Sequence, residues 1–324
     1  MANHNIIGID VGGTNVKLGL VDENGKIFAR SRFKTSSYLS HPRQLIQAMA
    51  GGVFSLCQEQ NLDLSQVRGI GIGLPGLVDP VHGNVIFLPN IPKWKNIPLK
   101  KELQLKLKIP VFLDNDVNVI TLGEWKFGAG QGCTDIVGMT LGTGVGAGLI
   151  LNGALYRGPG FAAGELGHIP INLKGPKCNC PSFACLEAYV GNKRLEQQAQ
   201  KIFKKSQISL EEVSALAKQG DHEALRFWEE TGEYIASALV GVVNLLNPQK
   251  IVIGGGVSKS SKFLFPVIRR QIRERAMPVQ AKMARIVLAK LRDDAGLIGA
   301  RVLVETELVN FETSGERRKG VGEK

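Results

Sequence analysis

The sequence predicts an α/β protein with two similar lobes, because one succession of elements occurs twice along the chain. In each half, three short apolar runs that predict antiparallel strands are interrupted after the first run by a glycine-rich turn, and alternating helices and strands follow. The first succession begins at Ile6 and the second at Ile136. A duplicated arrangement of this kind favours a ligand site in a cleft between the lobes.

The elements of the first half are placed by apolar periodicity and by turn signals. Gly12 and Gly13 separate the first two strands, and the turn that ends at Gly25 separates the second from the third. Apolar residues at helical spacing after Pro42 predict the first long helix. The predicted elements are strands at 6–10, 16–21, 26–34, 69–74 and 111–113, and helices at 42–60 and 99–107.

The second half repeats the opening of the first and then becomes mainly helical. Gly142 interrupts the first pair of strands, and Gly254 follows a short apolar run that predicts a buried strand. Acidic residues at Asp293 and Asp294 suit the N-terminus of the last helix. The predicted elements are strands at 136–141, 145–151, 154–156, 251–253 and 286–288, and helices at 186–205, 210–218, 222–246, 262–275 and 294–309.

Composition and charge limit the classes of function. Of the 324 residues, 44% are apolar and 21% are charged, which is typical of a soluble globular protein. No apolar run reaches membrane-spanning length and the N-terminus lacks the pattern of a signal peptide, so we expect a cytoplasmic protein without a membrane partner. The net charge of +11 is spread along the chain, without alternating aromatic residues or a helix-turn-helix. This favours a surface that attracts anionic nucleotides over a nucleic-acid partner.

Four side chains that commonly bind metal lie close together in the sequence, with the spacing H-x9-C-x-C-x4-C. Three thiolates and an imidazole are the ligand set of a tetrahedral structural zinc site, and the turn-rich chain between them can fold back around an ion. Buried or disulfide-bonded cysteines are the alternative, but three clustered cysteines would leave one unpaired. We therefore expect structural Zn²⁺ bound by His168, Cys178, Cys180 and Cys185.

Glycine-rich turns follow three of the predicted strands, and such turns let backbone N–H groups approach a phosphate. At the first turn, Thr14 adds a hydroxyl donor, Asp10 could hold Mg²⁺ through water, and Lys17 could neutralise phosphate charge or face solvent. One glycine pair is more typical of an ordinary hairpin, but three such turns together favour nucleotide binding. Neither the P-loop spacing nor the G-x-G-x-x-G spacing of dinucleotide-binding folds is present. The turn residues are Gly12, Gly13, Thr14, Gly142, Thr143, Gly144, Gly255 and Gly256.

Two carboxylates and two amides follow the apolar strand that ends at Leu113, namely Asp114, Asn115, Asp116 and Asn118. Open α/β folds bind ligands at such strand ends, and phosphoryl transfer to an alcohol needs a base that accepts the hydroxyl proton. Asp and Asn also begin helices as N-caps. The residues by themselves leave the two interpretations open.

Several segments together resemble the ROK family, named for repressors, open reading frames and kinases. They are PNIPKW at 89–94, DNDVN at 114–118, GELGH at 164–168 and CNCPSFACLE at 178–187, and the likeness covers about residues 6–310. Pro181 and Ala184 stand where the family usually has glycine. If these positions have positive φ, Ala184 would be mildly strained and Pro181 would not fit.

The resemblance implies the ribonuclease-H-like fold of the actin, hexokinase and heat-shock-chaperone superfamily, in which the last helix crosses back to the first lobe. One lobe would then comprise 1–117 and 294–311, and the other 118–293 with the metal loop 165–187. The polar residues 312–324 predict a flexible tail. Relatives of this kind suggest a homodimer or homotetramer.

The resemblance also implies an ATP- and Mg²⁺-dependent hexokinase, above all a glucokinase that phosphorylates the 6-hydroxyl of glucose. Asp116 would be the catalytic base, and His168 would hold a sugar hydroxyl with one ring nitrogen and zinc with the other. The implied sugar-binding residues are Asn90, Asn115, Asp116, Glu165, His168 and Glu187. The implied nucleotide-binding residues are Asp10, Lys17 and the turn residues named above.

Other functions stay open at this point. Fructose, mannose, N-acetylmannosamine or N-acetylglucosamine could be the acceptor, and polyphosphate could be the donor. A sugar-responsive transcriptional repressor belongs to another class, and ROK repressors carry a winged DNA-binding domain before the sugar domain. A first strand near Ile6 would leave no room for that domain. A zinc-stabilised sugar sensor without catalysis is the third alternative.

Overall fold

The computed structural model of the protein describes residues 5–38, 41–89, 91 and 93–320. The chain divides into two compact units. The described residues of Met1–Gly128, Gly158–Ala162 and Asp293–Lys324 form the first unit, and those of Ala129–Arg157 and Ala163–Arg292 form the second.

Strands and helices alternate in both units. The strands are β1 (Asn5–Val11), β2 (Asn15–Val21), β3 (Ile27–Lys34), β4 (Val67–Leu74), β5 (Leu77–Asp79), β6 (Asn84–Phe87), β7 (Lys95–Ile97), β8 (Val111–Asn115), β9 (Ile136–Leu141), β10 (Val145–Leu151), β11 (Ala154–Tyr156), β12 (Lys250–Gly254) and β13 (Arg285–Leu288). The α-helices are α1 (Pro42–Glu59), α2 (Leu99–Leu107), α3 (Asp116–Phe127), α4 (Glu187–Val190), α5 (Asn192–Phe203), α6 (Leu210–Lys218), α7 (His222–Leu246), α8 (Ser261–Arg275), α9 (Pro278–Met283) and α10 (Ala295–Gly320).

The main sheet of the first unit brings three strand ends to one edge. Its strand order is β3-β2-β1-β4-β8, antiparallel across the first three strands and parallel across the last three. Asp10 on β1 pairs in register with Gly73 on β4, which pairs with Asp114 on β8. Because parallel strands end at the same edge, the acidic residues of β1 and β8 lie along that edge.

The sheet of the second unit repeats this topology. Its order is β11-β10-β9-β12-β13, again with two antiparallel pairs followed by two parallel pairs. The turn at 142–144 joins β9 to β10, in the same topological position as the turn that joins β1 to β2. Thr140 pairs with Gly254, so the turns that follow β9 and β12 lie at one edge. The repetition confirms the predicted duplicated α/β architecture.

Helix α10 belongs to the first unit and lies directly on its sheet. A Cβ atom at Gly8 would be 2.4 Å from the carbonyl oxygen of Leu297, and one at Gly71 would be 2.0 Å from that of Ala300. Real side chains essentially never approach backbone so closely, so only glycine lets the helix pack at this depth. The end of the chain therefore packs against strands formed near its beginning.

Two features of the first unit differ from the sequence prediction. The prediction omits α3, because this helix is buried around most of its surface and lacks a clear apolar stripe. It also omits the small sheet β5-β6-β7. Because α3 packs along α10, the first unit extends through Gly128, whereas the predicted lobe boundary after residue 117 would divide the helix.

The flexible tail predicted at 312–324 overlaps the end of α10, and its flexibility stays a prediction. Helix α10 continues through Gly320, and residues 321–324 lie outside the described part of the chain. The segment after Val309 contains no proline and is rich in Glu, Arg and Lys, which are good helix formers. Among the described residues, none of the helices combines the length and the apolar character that crossing a bilayer requires.

Candidate active site and metal centre

The acidic segment after β8 forms the start of a helix. Asn115 is the N-cap of α3, and its Oδ1 accepts hydrogen bonds from the N–H groups of Val117 at 2.9 Å and Asn118 at 3.3 Å. Its Nδ2 donates to the carbonyl oxygen of Gly76 at 3.0 Å. Asn115 therefore acts as a helix cap. Its side-chain amide has at most one N–H left for the predicted contact with a sugar hydroxyl.

The two carboxylates of this segment have different environments. Asp114 is buried, and its Oδ1 accepts hydrogen bonds from the N–H of Asn115 at 2.7 Å and from the side chain of Asn118 at 2.8 Å. Asp116 is the first residue of α3 and is only partly buried. Asp114 thus fixes the β8–α3 connection, and Asp116 is the carboxylate left to meet a ligand.

Burial and, to a lesser extent, the negative charge of Asp10 together raise the pKa of Asp116 to about 7. Such a carboxylate is a much stronger base than an ordinary aspartate, and a substantial fraction of it is still ionised at neutral pH. Asp116 can therefore accept a proton from a bound hydroxyl group. Its predicted role as the general base is chemically consistent with this environment.

Asp10 connects the first turn to this carboxylate. Burial raises the pKa of Asp10, and Lys17, whose Nζ lies 3.6 Å from Asp10 Oδ2, partly offsets that shift. Lys17 thus forms an ion pair with Asp10 while its side chain stays partly exposed, and its contact with a phosphate stays a prediction. The start of α10 also closes on Asp10, because a Cβ at Gly296 would lie 2.8 Å from Asp10 Cγ.

A buried threonine, Thr35, fixes the first glycine turn through hydrogen bonds, and no sequence motif indicates this residue. The Oγ1 atom of Thr35 donates to the carbonyl oxygen of Gly12 at 2.7 Å, and its N–H donates to that of Thr14 at 2.9 Å. Gly13 and Thr14 are exposed. Thr35 thus fixes the turn from the buried side, while the exposed residues of the turn stay accessible to a phosphate. No local pattern could reveal Thr35, because its partners lie more than twenty residues away in the chain.

The second and third turns adjoin within the second unit. Gly255 has φ of 87°, and a Cβ there would lie 2.4 Å from the carbonyl oxygen of Leu141, immediately before Gly142. Gly256 begins the short helical turn that follows. Thr143, at the tip of the second turn, is exposed. The structure therefore brings the predicted nucleotide-binding residues of this unit to one sheet edge.

The four predicted metal ligands form a cluster in the second unit. One ligand atom from each of His168, Cys178, Cys180 and Cys185 lies within 4.8 Å of all the others. Cys178 Sγ is 3.5 Å from His168 Nδ1, and Cys180 Sγ is 3.6 Å from Cys185 Sγ. Sulfur atoms bound to one tetrahedral zinc at about 2.3 Å are about 3.8 Å apart, so the donor set fits the ion.

The loop around the cluster accommodates both departures from the family pattern. Ala184 has φ of 53°, which is the mildly strained conformation expected there. Pro181 is absent from the positive-φ residues of the described chain, so its ring fits. All cysteines of the described chain are free thiols, so no disulfide replaces the metal site.

Three predicted sugar-binding residues lie in the second unit, and one of them, His168, belongs to the cluster itself. His168 directs Nδ1 toward Cys178, and its Nε2 lies 3.8 Å from Glu165 Oε2. The opposite ring nitrogen therefore stays available for a second partner, as the prediction of a double role requires. Glu187 begins α4, and its Oε2 accepts a hydrogen bond from the N–H of Val145 at 2.9 Å. Asn90 lies outside the described residues.

Comparisons with known proteins connect this geometry to a family. The ROK family profile matches residues 6–307. The chain is similar to a glucokinase of Thermotoga maritima, with 34% identity over 94% of this chain and 98% of the relative. It is also similar to an N-acetylglucosamine repressor of Escherichia coli, with 30% identity over 95% of this chain and 77% of the repressor.

A solved structure agrees with these relatives. A ROK family glucokinase from Streptomyces griseus, in complex with glucose and AMPPNP, matches with a TM-score of 0.78 and 31% identity, over 93% of this chain and 99% of that chain. Its fold is the duplicated α/β fold of the hexokinase and actin superfamily that the sequence predicts. Because the family profile matches nearly the whole chain and the fold and site geometry agree with it, the chain belongs to the ROK family.

Proposed function

We propose that this protein is an ATP-dependent sugar kinase that transfers the γ-phosphoryl group of ATP to the 6-hydroxyl group of glucose. The observation that carries the proposal is Asp116, a partly buried carboxylate at a strand end whose pKa is raised to about 7. The glucokinase relatives, which match this chain over nearly its full length, support glucose as the acceptor.

In the reaction that we propose, Asp116 accepts the proton of the sugar hydroxyl as the new O–P bond forms. The hydroxyl oxygen attacks the γ-phosphorus, the bond to the bridging oxygen breaks, and ADP leaves. Asp10 would hold the Mg²⁺ that accompanies ATP, through a water molecule, and that ion would offset phosphate charge. Lys17 holds the Asp10 carboxylate in place through their ion pair.

The glycine turns would receive the phosphates and the adenosine of the nucleotide. Gly13, Thr14 and Thr143 are exposed residues, and their N–H and hydroxyl groups would supply donors for phosphate oxygens. Gly255 supplies a turn that no larger residue could form against Leu141, and Gly256 follows it in the chain. These assignments follow the family resemblance residue by residue.

On the sugar side, the proposed contacts are Glu165, His168, Glu187 and Asn90, with Asn115 in a lesser role. A carboxylate can accept hydrogen bonds from two adjacent hydroxyl groups, which suits a hexose. His168, Cys178, Cys180 and Cys185 would hold a structural Zn²⁺, which fixes the orientation of the imidazole ring. We place this activity in the cytoplasm and propose a homodimer or homotetramer.

A sugar panel with ATP and polyphosphate as alternative donors tests the proposal. Glucose with ATP is expected to give the highest kcat/KM, and mannose, fructose and the N-acetylhexosamines define the selectivity. Asp116→Asn is expected to lower kcat by a factor of about 10² to 10⁴. Asp221→Asn is the matched control, because Asp221 caps α7 and Asn caps a helix equally well. Phosphorylation of none of these sugars would refute the proposal.

The repressor relative motivates a second candidate, a sugar-responsive regulator. The accessible Asp116 favours the kinase, because a sensor has no need of a base. Tight, sequence-selective DNA binding together with the absence of phosphoryl transfer would reverse this preference.

A further inference from the structure

We propose that Glu187 is a positioning residue for the nucleotide, because its carboxylate holds the second glycine turn in place. The metal loop would then act on the phosphate donor as well as on the sugar. This inference rests on the proposed function in one respect, namely that the turn at 142–144 binds the phosphates of a nucleotide.

The first observation is the contact itself. Glu187 Oε2 accepts the hydrogen bond of the Val145 N–H at 2.9 Å, immediately after the turn. A Cβ atom at Gly144 would lie 2.5 Å from the same oxygen, so the absence of a side chain at Gly144 admits the carboxylate. The carboxylate therefore lies directly beneath the turn and not merely near it.

The second observation is that the same segment holds the other end of the turn. The N–H of Asn192, the first residue of α5, donates to the carbonyl oxygen of Gly142 at 2.8 Å. A Cβ at Gly191 would lie 3.3 Å from the carbonyl oxygen of Thr143. Residues 187–192 thus bind or contact the turn at its beginning, its tip and its end.

The third observation connects this segment to the metal ligands. Cys185 pairs with Pro170 in an isolated antiparallel bridge, and the N–H of Leu186 donates to the carbonyl oxygen of Ile169 at 3.0 Å. A Cβ at Gly167 would lie 2.1 Å from the carbonyl oxygen of Val145. The chain on either side of the cluster therefore packs against Val145, once through Gly167 and once through Glu187.

These contacts predict that the two carboxylate oxygens of Glu187 have different partners. One oxygen of Glu187 is engaged by Val145, and the other remains for a sugar hydroxyl. A hydrogen bond from a backbone N–H to a carboxylate is stronger than one between neutral groups, so it stabilises the conformation of the turn. Loss of this hydrogen bond would let the turn move. Nucleotide affinity is therefore expected to depend on Glu187 even when no sugar is bound.

The test measures AMPPNP affinity in the presence of Mg²⁺ and the absence of sugar, by calorimetry, for a series of variants. Glu187→Ala is expected to raise the dissociation constant about tenfold. Glu187→Gln, whose amide oxygen still accepts the Val145 hydrogen bond, is expected to stay within about twofold of wild type. Glu187→Asp keeps the charge but is too short to reach Val145, and it is expected to resemble the alanine variant.

Glu165→Ala is the matched control for this series. Glu165 lies in the same loop, but its side chain is 67% exposed and lies beside His168 instead of beneath the turn. Its removal is expected to raise the KM for glucose while leaving the AMPPNP dissociation constant unchanged. Hydrogen exchange of a peptide that covers residues 142–146 gives a ligand-free readout. Among these metal-loaded variants, it is expected to accelerate only in Glu187→Ala and Glu187→Asp.

Metal removal tests the connection to the cluster. Protein stripped of metal, with the loss verified by elemental analysis, is expected to show both the faster exchange at 142–146 and the weaker AMPPNP binding. In stripped Glu187→Ala the two changes are expected not to add, because they act through the same contact.

The outcomes separate this inference from the proposed function. Wild-type protein that binds no AMPPNP would refute nucleotide binding itself. Wild-type protein that binds it only as tightly as Glu187→Ala and Glu187→Asp would overturn the positioning role alone. Should Glu187→Ala fail to unfold cooperatively, Glu187→Asp carries the same expectation, because an acidic residue still begins α4.

Discussion

Replacing Asp116 with Asn is expected to lower kcat by a factor of about 10² to 10⁴ and to stabilise the fold by an amount that grows with pH. The pKa of this carboxyl is raised from 3.8 to about 7 by burial and by Asp10. A tenfold change in a proton-binding constant corresponds to about 1.4 kcal/mol, so ionising Asp116 in the folded chain costs at most ~4 kcal/mol. Because the side chain is only partly buried, roughly 2 kcal/mol is the expected gain.

The sign of the effect follows from proton binding. Below about pH 4 the carboxyl is protonated in both the folded and the unfolded chain, so wild type and variant differ little. Between about pH 4 and pH 7 the unfolded chain releases the proton while the folded chain retains it, so wild type progressively loses stability. Above about pH 7 the difference is constant.

Urea unfolding of both proteins between about pH 5 and pH 8 measures this difference. Asp135→Asn is a control of opposite sign, because hydrogen bonds from Thr134 and from the N–H of Asn152 lower the pKa of Asp135. That variant is expected to be less stable than wild type across the range. A variant of Asp116 that is destabilised, or stabilised equally at the two ends of the range, would refute the reasoning.

Three further predictions concern the active site, the metal centre and the core. The kcat/KM for glucose is expected to fall about fivefold between pH 7 and pH 6 as Asp116 is protonated. Asp10→Asn should move this limb of the pH profile to lower pH, because it removes a negative charge that raises the pKa of Asp116. A flat profile would contradict the assignment of Asp116 as the general base. Chelation of metal is expected to release one Zn²⁺ per chain, lower the unfolding temperature and raise the KM for glucose, and full glucose affinity in demonstrably zinc-free protein would argue against it. Gly71→Ala is expected to lower the free energy of unfolding by about 3 kcal/mol or more, because its Cβ meets the carbonyl oxygen of Ala300. Gly51→Ala, at a helix position with nothing within 4 Å, should raise it by about 0.5 to 1 kcal/mol. Chemical denaturation measures both values, and equal effects would exclude the packing argument.

Features encoded by neighbouring residues could be read directly from the sequence. The strand–turn–strand openings of both units follow from apolar runs broken by glycines, so the duplicated fold could be predicted. The cluster of four candidate metal ligands could also be predicted, because His168 and the three cysteines lie within one short loop. The raised pKa of Asp116 could not be predicted from the sequence, since it depends on burial in the folded chain and on the charge of Asp10.

The succession of most elements, the family and the chemical types of residue available for a kinase follow from the amino-acid order alone. Which of these residues act together depends on how the elements pack. Thr35 beneath the first turn, Gly296 against Asp10 and Glu187 beneath the second turn are contacts between segments far apart in the chain. Such contacts arise from packing between elements, and local periodicity does not encode them because it reports only which face of an element is apolar.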